Sequence, residues 1–217
     1  MKLTGFRFYS ILLGLSLSSL TGCTTAHSSC CLKPEAAAGR AKQVEAYLDE
    51  FAASEFKNGY TNIYKALKNA LTKLPEDVFK DVTSRESPVV FVNSITSGIA
   101  RYAHSTEFYF HEGDPRAFQE GFYLMILGDE LNNSNDIEAI EGVILHELAH
   151  DYLKHLRAPK HNCEMEREAN RLVKTWGYAK EYEKASEVFG AKNAGDSPCV
   201  DYFRKQEEEI KKKTSSQ

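Results

Sequence analysis

The stretch His146-Glu147-Leu148-Ala149-His150 limits what this chain can fold into more than any other part of it. It sits in a run where Ile137, Ile140, Ile144 and Leu148 recur at helical intervals, so one face of a helix must enter a core. Ser134 or Asn135 supplies an N-cap, Asp136 and Glu138 put negative charge in the first turn, and Pro159 ends the run. This gives a helix from about Asp136 to Leu156. Residues four apart on a helix are offset by about 40° around it and about 6 Å along its axis. His146 and His150 therefore project together from the side opposite the apolar stripe, and both imidazoles reach one metal ion at a Zn–N distance of about 2.0–2.1 Å. Glu147, one step round, is placed to act as general base on a water beside that ion. Two histidines and a glutamate buried without such a ligand would be costly to desolvate. Gly142, one turn before His146, leaves room for close packing on this second side.

A catalytic zinc site needs three protein ligands and one open position. A histidine six residues beyond the second, with a glycine between, would serve, but Leu156 and Leu153 stand at those positions and His155 is one residue early. The other source is the next helix, roughly Cys163 to Trp176, which stops at Gly177. Its apolar face is Met165, Ala169, Leu172 and Trp176, so Glu164 points well away while Glu166 and Glu168 flank it. Only Glu166 has a polar residue one turn on, Asn170, able to hold a ligating imidazole by a hydrogen bond. Glu166 is the expected third ligand, with Glu168 in reserve.

The rest of the chain reads as helices, then a small sheet, then helices, an α+β order. From Ala41 to about Leu74, Val44, Leu48, Phe51, Phe56, Ile63, Leu67 and Leu71 recur at helical spacing, and Asn58-Gly59 divides the run into two helices. Pro75 opens a short helical piece through Phe79. Val89–Asn93, Ile99–Phe110 and Phe122–Leu127 are β-branched or aromatic and read as strands, with a turn at Gly113-Asp114-Pro115. The tail from Asp201 is highly charged and reads as a solvated helix end.

With 217 residues and 42% hydrophobic composition, one globular domain accounts for the chain. A net charge of −4 without basic blocks argues for no nucleic-acid partner. Met1 to Cys23 has the layout of an export signal: Lys2 and Arg7 are followed by the apolar Ile11–Leu20, whose ten residues fall short of the roughly 20 that cross a bilayer as a helix. Leu20-Thr21-Gly22-Cys23 resembles the lipobox of bacterial lipoproteins. That resemblance implies removal of residues 1–22, a lipid on Cys23 and attachment to a membrane of the bacterial cell envelope. Thr24, where an Asp would favour the inner membrane, points to the outer membrane, facing the periplasm. Residues 23–40 are then a small, polar tether, and 41–217 the folded domain. In an oxidising compartment Cys30, Cys31, Cys163 and Cys199 allow three pairings. Because Cys30 and Cys31 are adjacent, the expected solution ties each to one of the two distant cysteines.

The HELAH motif followed by EREANRL resembles the gluzincin metallopeptidases. The stretch IEAIEGVILHELAHDYLKH, with His155, and the later Gly177-Tyr178 are similar to the HtpX-type branch. The short gap from His150 to Glu166 and the Asn of EREAN are similar to the ImmA/IrrE-type branch. The resemblance covers about Asp136–Tyr178. It implies a zincin-like domain with a small, mostly antiparallel sheet packed on the active-site and ligand helices, with the N-terminal helices beside them. It also implies Zn2+ on His146, His150 and Glu166, Glu147 as base, and Asn170 behind the ligands where the HtpX type prefers Asp. The function expected is a zinc endopeptidase acting on exported or misfolded polypeptides; the alternative is a catalytically weak binding or assembly module on the same fold. Phe122–Leu127 is the candidate edge for an extended substrate. Tyr178, His161 and Arg171 are the candidate oxyanion donors, with Tyr178 carried forward.

Overall fold

The computed structural model describes residues 34–94, 103–108, 121–157, 162–190 and scattered positions of 199–211. The expected export signal, Cys23, Cys30, Cys31, His161 and the expected turn at Gly113-Asp114-Pro115 lie outside the described residues. So does most of the tether.

Helix α1 covers Pro34–Phe51, so the helical domain begins six residues before the expected tether ends at 40. The sequence PEAAAGR explains this: proline suits the first helical position and alanine has the highest helix propensity. Arg40 is already part of the body. It is 5% exposed, donates to the Leu74 carbonyl, pairs with Glu76 and lies 3.8 Å over the Phe79 ring. The chain then leaves the helix at Ala52, because Ala52 bridges Phe91 and the Ala53 N–H donates to the Phe91 carbonyl at 2.9 Å. A single turn, α2 (Glu55–Asn58), separates α1 from α3 (Thr61–Lys73), and α4 (Glu76–Val82) follows Pro75. Where spacing alone suggests two helices, this bridge to a strand adds a further break.

Three strands form one sheet: β1 (Val89–Ser94), β2 (Ala103–Phe108) and β3 (Phe122–Gly128), in the order β1-β3-β2. β1 runs parallel to β3, with Val89 opposite Tyr123; β2 runs antiparallel, with Ala103 opposite Leu127. The sheet is therefore mixed, not mostly antiparallel, and Phe122–Leu127 is its central strand, not an edge. Composition accounts for the placing. FYLMIL is apolar at every position, as a strand covered on both faces requires, whereas the AHSTEF of β2 is polar enough for an edge. Tyr123, Met125 and Leu127 enter the core with Phe91 and Val89.

After the single turn α5 (Asp129–Asn132), helix α6 spans Ile137–Tyr152. Asp136, not Ser134 or Asn135, is its N-cap: the Asp136 carboxylate accepts from the Ala139 N–H at 3.0 Å, while the Ser134 hydroxyl accepts from the Asp136 N–H. Ile140, Ile144 and Leu148 are fully buried against α3, whose Ile63, Leu67 and Leu71 complete that side of the core. Glu141 is also buried here, its carboxylate accepting from Asn69 at 2.6 Å and Lys73 at 2.7 Å. The helix ends earlier than Leu156, since Lys154 adopts φ 55° and a 3-10 turn follows at His155–Arg157. Lys154 is held there by Asp81 and Asp151.

Helix α7 (Cys163–Thr175) is capped by Asn162 and closed by Gly177 at φ 94°. Helix α8 (Ala179–Phe189) has no counterpart in the sequence reading, yet it supplies the partner that Gly142 was left open for. A Cβ on Gly142 would lie 2.1 Å from the Glu181 carbonyl oxygen and 2.8 Å from the Ala185 methyl carbon. Gly142→Ala is therefore expected to push α8 away and cost about 1–3 kcal/mol as an overpacking change, although alanine is the better helix former. Chemical denaturation of the two full chains measures this.

Beyond α8, Cys199 lies beside the start of α7. Cys163 and Cys199 meet there in a disulfide, with Cα atoms 5.1 Å apart. This overturns the expected pairing of each with Cys30 or Cys31.

Candidate metal centre

Two turns of α6 and one of α7 bring three ligand atoms to a common point. The Nε2 atoms of His146 and His150 are 3.1 Å apart; Glu166 places Oε2 3.2 Å from the first and Oε1 3.6 Å from the second. Three donors bound to one ion at about 2.0–2.1 Å with tetrahedral angles stand roughly 3.4 Å from each other. The observed separations bracket that value, so the residues present fit a divalent metal, and the three form a group in which all ligand atoms lie within 4.8 Å. The electrostatics agree. Burial pushes the Glu166 carboxyl up, but hydrogen bonds to His146 and His150 outweigh it and hold the group well below the usual carboxylate range. Burial pushes His146 down, and Glu166, Glu147 and Asn170 together more than reverse this. A metal cation would take the place of the proton that this arrangement attracts.

Asn170, one turn after Glu166, lies on the His146 side of the group and lines the cleft with it. Behind His150 lies a support that the sequence reading does not contain. His155 Nδ1 is 2.9 Å from His150 Nδ1, and His155 Nε2 is 3.2 Å from Glu168 Oε2. Two facing ring nitrogens at that distance need one hydrogen between them. If His150 turns the lone pair of Nε2 towards the metal position, its Nδ1 carries the hydrogen and donates to His155, whose Nε2 then donates to Glu168. Glu168, the reserve ligand, is thus the outer end of a relay and sits 59% exposed, not on the metal side. The early end of α6 makes this possible, because the turn at Lys154 brings His155 back over His150. Removing such a support typically lowers metal affinity 10–100-fold. His155→Phe should do so with Glu166 intact, as read by competition with a metal indicator.

Glu147 projects beside the triad and is fixed from the sheet. The Ser105 hydroxyl on β2 donates to its Oε2, and the Tyr123 hydroxyl on β3 donates to its backbone carbonyl at 3.1 Å. Neither partner is signalled by sequence, since both depend on strand order. A cleft opens over the group in two adjoining lobes of about 350 and 280 Å³ that share Ala103, Glu147 and Glu166. The larger lobe is walled by Val143, Tyr182, Ala185 and Phe189, the smaller by His104, Ser105 and Leu156.

Tyr178 is not at this cleft. It is buried, with its hydroxyl donated to the Lys73 carbonyl, so it does not serve as the expected oxyanion donor. Gly177 at positive φ turns the chain towards α3 and takes Tyr178 with it. Arg171 is exposed on α7 and lines a neighbouring groove, not the cleft. Comparison with protein-family models, with curated proteins and with solved structures finds no match.

Proposed function

We propose that this chain is a zinc-dependent endopeptidase. The observation that carries the reading is the convergence of two imidazoles and the Glu166 carboxylate on one point, with the Glu147 carboxylate held beside it by Ser105 and a cleft above. A two-histidine, one-carboxylate set with an open side suits Zn2+, which when bound supplies Lewis-acid activation of water and of a peptide carbonyl.

The chain's own residues do the remainder. Glu147 accepts the proton of the attacking water and later delivers it to the leaving amine. Ser105 holds that carboxylate in place, and the His155–Glu168 pair keeps His150 in the tautomer that ligation needs. The substrate is a polypeptide in extended form. Among the described residues β2 has β3 as its one strand neighbour, and Ala103, His104 and Ser105 line the cleft, so β2 takes the docking role that the sequence reading assigned to Phe122–Leu127.

The lipid on Cys23, the placing at the bacterial envelope and the choice of exported or misfolded proteins as substrates belong to the same proposal and rest on the lipobox-like sequence. No helix among the described residues is long and apolar enough to cross a membrane. Proteolysis of an unfolded polypeptide by the full chain and by Glu147→Gln, with zinc measured in both, tests the catalytic reading. Equal cleavage by the two would refute it.

A further inference from the structure

Helix α7 carries two stripes side by side. Glu166 and Asn170, four apart, face the metal cleft; Arg167, Arg171 and Lys174 recur at i, i+4 and i+7 one residue further round. The second stripe lines a groove of about 290 Å³ that also contains Tyr182 and Phe203. Asn170 and Tyr182 line both this groove and the larger lobe of the cleft, so the two depressions adjoin.

The charge of this groove is unusual for the molecule. The chain as a whole is acidic, at −4, yet three cations gather here. Arg167 pairs with Glu164, and its guanidinium lies 5.4 Å from the Phe203 ring centre. Lys174 sits 4.7 Å over the Tyr182 ring. Among the described residues neither Arg171 nor Lys174 has a carboxylate partner. The outer wall is fastened by the Cys163–Cys199 disulfide and by Tyr202, whose hydroxyl donates to Glu164 at 3.3 Å.

We propose that this groove binds acidic side chains of a polypeptide whose neighbouring residues occupy the metal cleft, making the enzyme selective for acidic segments. The inference deepens the peptidase reading and rests on it for the identity of the ligand. A concave surface next to the cleft favours a peptide over a flat anionic membrane. Arg171 and Lys174 supply the charge, Arg167 can exchange its exposed Glu164 partner at little cost, and Tyr182 and Phe203 pack against the side-chain stems.

The test uses the full chain carrying Glu147→Gln, which binds without cleaving, and fluorescent peptides identical except for three Glu, three Gln or three Lys. Anisotropy should show the Glu peptide binding about tenfold more tightly than the Gln peptide, a difference of about 1.4 kcal/mol. That gap should shrink with salt and close in R171E/K174E, whose zinc content and thermal midpoint control for folding. If that double variant does not fold, R171Q/K174Q should give the same closure. Equal binding of the three peptides, or a gap that survives both replacements, overturns the proposal. So does a loss confined to binding of phosphatidylglycerol–phosphatidylethanolamine vesicles, which would assign the patch to the membrane. Absence of hydrolysis by the chain with native Glu147 would defeat the peptidase reading instead, and the peptide-binding gap would still decide the groove.

Discussion

Glu147→Gln is expected to lower kcat/KM for an unfolded polypeptide about 10²–10⁴-fold while leaving bound zinc unchanged, the range that a positioned general base supplies. The separation of the two readouts follows from the geometry. Glu147 is not one of the three converging ligands, so its loss leaves the two imidazoles and Glu166 intact. Glutamine is nearly isosteric and can still accept from the Ser105 hydroxyl, so the strand contact survives as well. What glutamine cannot do is take a proton from water or give one to the leaving amine. A variant that lost zinc as well as activity would show Glu147 acting as a ligand. One that lost neither would reduce the site to a binding module.

Glu166→Ala is expected to remove zinc altogether at concentrations where the unaltered chain is fully loaded, and activity with it. Two imidazoles alone provide a weaker and less specific site than three ligands, so the loss should exceed the roughly 10–100-fold that follows removal of an outer support. Global stability should change less than zinc binding, because the Glu166 side chain is 29% exposed and its partners include the other two ligands. Glu168→Ala is the internal comparison. Its carboxylate is 59% exposed and reaches the site only through His155 and then His150, so zinc should be weakened but kept. If Glu168→Ala abolished metal binding and Glu166→Ala did not, the third ligand would be reassigned. For both variants the affinity should fall as pH is lowered, since protons compete with metal for the imidazoles.

The site was legible in sequence where its geometry is local. The helix carrying HELAH has its own period and acid first turn, although its cap is Asp136 and not Ser134 or Asn135, and His146 and His150 are related by helical spacing alone. Glu166 was reachable because Asn170 repeats one turn later on the same helix. The parts that were not legible depend on contacts distant in the chain. FYLMIL advertises a strand, but whether it lies centrally or at an edge is decided by where β1 and β2 dock. Ser105 reaches Glu147 only because β2 pairs antiparallel with β3 in the observed register. His155 approaches His150 only because α6 stops at Tyr152, and that stop is fixed by Lys154 and its two aspartates, not by the periodic pattern.

The remaining departures have the same origin. Helix α8 offers Tyr182, Ala185 and Phe189 at helical spacing but none of the long aliphatics that mark a core helix; its position comes from the missing side chain at Gly142. Adjacency at Cys30 and Cys31 suggests pairing with the two distant cysteines, whereas Cys199 meets Cys163 at the start of α7. Tyr178 stands close to the ligand helix in sequence, yet one glycine at positive φ turns it into the core.

The most direct test is metal analysis of the full chain combined with absorption spectroscopy at the metal edge. The account predicts one zinc per chain, held by two imidazole nitrogens and a carboxylate oxygen at about 2.0–2.2 Å, and a loss of that signal in Glu166→Ala. A chain that remains free of metal in excess zinc, or binds it with the same ligand shell after Glu166→Ala, would contradict it.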